Sequence, residues 1–148
     1  MANIIGIDLG TTNSVLSYLD SLGKPKIHAG DEGNHLTPSV VAFENNKVLI
    51  GTEAKKKMRI DSQNVFSGFK RDMGTEITYD QGNKKYTPKE LSSLVLKKMI
   101  ENFEKSMGKA DEIVITTPAN FSNEAREDTI ESGEIAGFKV KHIINEPT

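Results

Sequence analysis

The sequence predicts an α/β protein built on a mixed sheet with a small α+β insertion, and three observations predict it. Short apolar runs separated by turns open the chain, strong helical patterns near its end alternate with strand-like runs, and between them lies a stretch with its own hairpin signal. The 148 residues match one ordinary domain or one lobe of something larger, long enough to bury a core. Apolar residues make up 36% and charged residues 27%, with a formal net charge of -2, which indicates neither a membrane span nor a nucleic-acid trap. Cysteine is absent, which excludes disulfides and thiolate metal sites and fits a reducing compartment. MANIIGIDL enters a strand pattern at once, with no charged n-region and long apolar h-region, so the expected location is the cytoplasm.

Each element follows from local pattern. IIGIDL (4–9), SVLSYLD (14–20) and KPKIHAG (24–30) read as three antiparallel strands, the last two joined through a turn at Gly23. After the loop DEGNHLTP come SVVAFE (39–44) and KVLIG (47–51), joined by Asn45-Asn46, a good hairpin turn because asparagine tolerates positive φ. TEAKKKM (52–58) and NVFSGFKRDMG (64–74) read as short helices, the second from the helical spacing of Phe66, Phe69 and Met73. Thr87-Pro88-Lys89-Glu90 combines an N-cap, a proline at the first helical position and a capping-box glutamate. Behind it Leu91, Val95, Met99, Phe103 and Met107 recur every fourth residue, with Leu94 and Ile100 widening the stripe, until Gly108 stops a helix of about five turns.

EIVIT (112–116) is apolar enough for a strand covered on both faces. Residues 122–136 form a helix whose inner face, Ala125, Thr129, Gly133 and Ala136, is small enough for close packing, and KVKHII (139–144) is the last strand. The order β-β-β, insertion, α-β-α-β is ribonuclease-H-like, with residues 1–37 and 87–148 as the core and 38–86 as an inserted subdomain. Glu146-Pro147-Thr148 has the character of a helix start, so a further helix is expected to follow.

The chemistry concentrates in GIDLGTTNS (6–14). Gly10 lets backbone approach a ligand, and the N–H groups of Gly10, Thr11, Thr12 and Asn13 can form an anion-binding concavity. Asp8 at the strand end suits a magnesium ion or its waters. The stretch is neither a Walker loop nor GxGxxG, and it is equally serviceable as a plain β-turn. On residue character alone, Lys70 and Arg71 are a solvated pair lying over Phe66 and Phe69, Lys55, Lys56 and Lys57 are a wet helix face, and Glu146 is an acid favouring a helix N-terminus. His28, His35 and His142 lack metal-ligand spacing.

IIGIDLGTTNS, LTPSVVAF, FKRDMG, VITTPANF and HIINEPT, in that order, resemble the DnaK-type heat-shock-seventy chaperones across essentially the whole chain. The resemblance implies an actin-like ATPase fold, of which this is the first lobe, binding ATP or ADP with Mg2+. It implies that Gly10, Thr11, Thr12 and Asn13 form the first phosphate loop and that Asp8 meets Mg2+ through water. It also implies that Lys70 and Glu146 are catalytic, and that Pro118 and Arg126 relay nucleotide state to peptide binding, with Arg71 beside the lysine. Expected partners are unfolded client peptides bound by a domain outside this chain, a J-domain co-chaperone and a nucleotide-exchange factor, with neither nucleic acid nor membrane. Asn120 stands where the family pattern PAYF has tyrosine, and His142 where arginine is common, so altered coupling to partners is expected.

Two other classes compete. A nuclease on the same topology needs several converging carboxylates for two-metal chemistry, yet the fourth core strand ends in Thr116-Thr117-Pro118. A non-catalytic interaction or folding unit is the second, because one lobe lacks the opposite wall of a nucleotide cleft.

Overall fold

A computed structural model describes residues 3–30 and 33–145. The alternating pattern at the start builds β1 (Ile4–Asp8), which buries Ile5 and Ile7 and turns Ile4 and Asp8 outward. β2 (Asn13–Leu19) pairs antiparallel with β1, and β3 (Pro25–Ile27) pairs antiparallel with β2, completing the expected meander. The two-residue β4 (Thr37–Pro38) adds to the start of β2, opposite Asn13 and Ser14.

A separate three-stranded sheet follows. β5 (Val40–Glu44) and β6 (Lys47–Ile50) form a hairpin whose turn residues Asn45 and Asn46 have φ of 47° and 65°, as their side chains permit. α1 (Thr52–Lys56) is a single short helix continued by a 3-10 turn to Arg59. The helix expected over 64–74 is not there. Val65, Phe66 and Ser67 form β7 (Val65–Ser67), which pairs with the free edge of β5, and Gly68, at φ 69°, turns the chain into a 3-10 helix over Phe69–Asp72. β-sheet pairing and a left-handed glycine override the helical spacing of the two phenylalanines. β8 (Tyr79–Gln81) and β9 (Lys84–Tyr86) then form a hairpin around Gly82 and Asn83.

α2 (Pro88–Met107) begins with the expected capping box, Thr87 accepting from the Glu90 amide while Glu90 accepts from the Thr87 amide. It buries Leu91, Val95, Leu96, Met99, Ile100 and Phe103, whereas Met107 is exposed in the last turn. β10 (Glu112–Thr117) runs parallel to β1, and α3 (Asn123–Ile135) returns the chain to β11 (Val140–Asn145), parallel to β10. The resulting strand order is β11-β10-β1-β2-β3.

Both long helices lie on one face of this sheet. Tyr18, opposite Ile5 in the ladder, meets Phe103 of α2 with ring centroids 5.6 Å apart. Gly133 of α3 comes so close to the same face that an added Cβ would stand 2.3 Å from Val140 and 3.9 Å from Ile115. β10 therefore has one buried face, Ile113, Ile115 and Thr117, while Val114 and Thr116 on the other are half-buried. The reading of EIVIT as covered on both faces fails for that reason.

Candidate functional site

Parallel pairing of β1 with β10 sets Asp8 opposite Thr116 where both strands end. The Thr116 hydroxyl donates to Asp8 Oδ1 over 3.2 Å, orienting a carboxylate that is otherwise exposed. Leu9 is buried and anchors the next step of the chain, and the turn then closes on itself. A Cβ at Gly10 would fall 2.0 Å from the Asn13 carbonyl oxygen, so only glycine fits. Thr11 is half-buried and Thr12 exposed at the tip.

Ser39 holds this turn from the adjacent strand segment. Its amide donates to the Thr12 carbonyl at 2.9 Å and its hydroxyl to the Gly10 carbonyl at 2.8 Å. The Ser14 hydroxyl lies 2.8 Å from Ser39 Oγ; with the Ser39 proton committed to Gly10, Ser14 is the donor. Both serines are buried. Local sequence pattern signals a role for neither serine, although Ser39 lies within LTPSVVAF, and signals none for Thr116.

Lys70 is 9% exposed, so it is not part of a solvated surface pair. Buried Phe69 pins the 3-10 turn against the main core, and Lys70 Nζ stands 5.8 Å from the ring centroid of Phe121. Phe121 closes a turn on the Pro118 carbonyl immediately after β10. The lysine thus arrives at the same end of the parallel strands as Asp8 and the Gly10 turn. Arg71 is exposed and, with Thr11, Thr12, Lys55, Ser67 and Gly68, lines a cleft of about 230 Å³.

Arg126 of α3 donates to Thr117 Oγ1 at 3.3 Å and to Asn145 Oδ1 at 2.6 Å. Thr117 and Asn145 are ladder partners, so the guanidinium ties the ends of β10 and β11 together one residue beyond Asp8's neighbour. Pro118, half-buried, follows directly. Asn120 and His142 are both exposed, His142 opposite Val114 on the face of the sheet turned away from α2 and α3. Glu146 lies outside the described residues.

The donor set fits phosphate and magnesium. It offers a glycine turn, two threonine hydroxyls and nearby cations for the anion, and one exposed carboxylate for the metal shell. Among the described residues no group of three or more His, Cys, Asp or Glu is placed to hold a metal, but a magnesium ion carried by phosphate oxygens and water needs only one or two carboxylates.

An antiparallel meander continued by two parallel strands, with a glycine turn at the end of β1, is the ribonuclease-H-like sheet of the actin-like ATPases. The family described as Hsp70 protein matches residues 4–81 and 75–148. The chain belongs to the Hsp70 family, within its N-terminal nucleotide-binding region. Members of this family are chaperones that generally bind ATP or ADP with Mg2+, act as ATPases and work with client peptides and co-chaperones. Among the described residues no helix is long and apolar enough to cross a membrane.

Proposed function

We propose that the chain is the N-terminal part of an ATP-hydrolysing cytoplasmic chaperone that couples nucleotide state to peptide binding. The observation that carries this reading is the convergence of the Gly10 turn, the Asp8–Thr116 pair and buried Lys70 at the C-terminal end of the parallel strands. That end is where open α/β sheets bind their ligands. In this reading residues 1–37 and 87–148 form the core of the lobe and 38–86 the insertion that delivers Lys70.

Gly10, Thr11, Thr12 and Asn13 bind phosphate oxygens through backbone N–H groups and hydroxyls, and Asp8 accepts from a water of the metal shell. Mg2+, when bound, neutralises charge on the phosphate oxygens. Lys70 holds the attacking water and stabilises charge near the γ-phosphate, and Glu146 helps to place that water. These contributions are positioning and preorganised electrostatics, which dominate phosphoryl transfer. Pro118 and Arg126 transmit the change at the strand ends toward the peptide-binding part, and a J-domain protein and an exchange factor act on the cycle.

The cleft beside Thr11 and Arg71, about 230 Å³, is smaller than a ligand pocket of roughly 300–1,000 Å³ and supports the need for a second wall. The alternative of a non-catalytic interaction lobe therefore applies to the chain by itself. ATP turnover of this chain and of a two-lobe protein that includes it, measured side by side, tests the reading. Turnover confined to the two-lobe protein is expected; comparable rates would remove the requirement for a second lobe, and none in either would remove the ATPase.

A further inference from the structure

The segment carrying Lys70 is held from below by α3, at a residue the proposed site has not used. Gly74, at φ 81°, packs so tightly on the start of α3 that an added Cβ would lie 2.6 Å from the Ala125 amide nitrogen. Its own N–H donates to Asp128 Oδ2 at 2.8 Å. The 3-10 helix over Phe69–Asp72 is otherwise fastened on its other sides: Phe69 in the core, Asp72 accepting from the Tyr79 hydroxyl, and Met73 receiving the Ser92 hydroxyl at 3.6 Å. Asp128 thus makes a polar link between the lysine segment and the helix that carries Arg126, two residues away.

We propose that Asp128 is a positioning residue: its bond to the Gly74 amide seats the Lys70 turn on α3, so that a shift of α3 at Arg126 is felt by the lysine. The Asp128 side chain is 20% exposed, which shields the bond from water without isolating the charge. Lys89 lies 4.0 Å from its other oxygen but makes its close pair, 2.6 Å, with Glu131. Lys89 therefore draws only weakly on Oδ1, and Oδ2 is left to Gly74. This assignment rests on Lys70 acting in hydrolysis, and its test separates the two.

The first readout is the acetylation rate of the Lys70 amine by a soluble acylating reagent, followed by mass spectrometry on the folded chain. Asp128→Ala is expected to raise Lys70 labelling about tenfold, the equilibrium weight of one charge-assisted hydrogen bond. Asp128→Asn, which keeps an accepting oxygen but not the charge, brings labelling back to within about threefold of the unaltered rate, and Lys89→Met leaves it slow. In the ATPase-competent protein Asp128→Ala lowers kcat with KM for ATP unchanged, and Asp128→Asn recovers most of the loss. Wild-type labelling in Asp128→Ala, or equal damage from the alanine and asparagine variants, overturns the proposal. Unchanged turnover in Lys70→Ala would overturn the catalytic reading instead, while the labelling result still judges the Asp128 link.

Discussion

Replacing Ser39 by alanine removes one hydroxyl and breaks two hydrogen bonds at the root of the phosphate-loop candidate. The Gly10 carbonyl loses its 2.8 Å donor, and the fully buried Ser14 hydroxyl loses its 2.8 Å acceptor. An unsatisfied buried hydroxyl costs about 1–3 kcal/mol, and a half-buried carbonyl that water can reach costs about 1 kcal/mol, so Ser39→Ala should destabilise by about 2–4 kcal/mol. Ser14→Ala leaves the Ser39–Gly10 bond intact and should cost only about 1 kcal/mol. The double variant has no stranded hydroxyl, so it should be more stable than Ser39→Ala alone. Urea unfolding gives these differences from midpoints at constant slope. A Ser39→Ala loss within about 0.5 kcal/mol, the range of an ordinary surface change, or simple additivity in the double variant, would mean that Ser39 does not hold the turn through these bonds.

Gly10→Ala places a methyl 2.0 Å from the backbone carbonyl oxygen of Asn13 and should cost about 3 kcal/mol or more, measured in the same urea assay; a neutral effect would mean that the turn is looser than described. His28 sits against Phe103 and Tyr18 with Nε2 at 3.0 Å from Ser106 Oγ, and burial lowers its pKa from the usual 6.5. The folded state then binds fewer protons than the unfolded chain, so this histidine's contribution to stability is complete above 6.5 and is lost as pH falls through the folded pKa. NMR titration should give His28 a midpoint below 6.5, rising toward it in Phe103→Leu; a midpoint above 6.5 in the unaltered protein would contradict the packing described.

Much of this architecture was legible because its signals are local. The Thr87 capping box, the fourfold apolar stripe behind it and the Asn45-Asn46 turn each specify their element within a few residues, and all three are present. Over 64–74 the spacing of Phe66 and Phe69 fits a helix, while the strand that claims Val65, Phe66 and Ser67 lies more than twenty residues earlier, in β5. The β8–β9 hairpin carries a local signal of its own, Gly82-Asn83 between Tyr79 and Tyr86. At the candidate site, Asp8 and the glycine turn stood out by composition. Ser39, Thr116, Phe121 and Asp128 did not, because each acts on a partner far along the chain, from Ser39 on Gly10 to Thr116 on Asp8. Burial of Lys70 could not be read from its neighbours either; it follows from Phe69 being drawn into the core beneath α2.

In the proposed arrangement the insertion delivers Lys70 to a phosphate site at the end of β1. Single-turnover ATP hydrolysis and nucleotide affinity, measured for Lys70→Ala and the unaltered lysine in the two-lobe protein, test it most directly. Since removing one preorganised charge donor costs about a hundredfold or more in rate, a loss of hydrolysis on that scale is expected, with nucleotide binding largely retained. Hydrolysis at the unaltered rate would contradict it and return Lys70 to a structural role against Phe121.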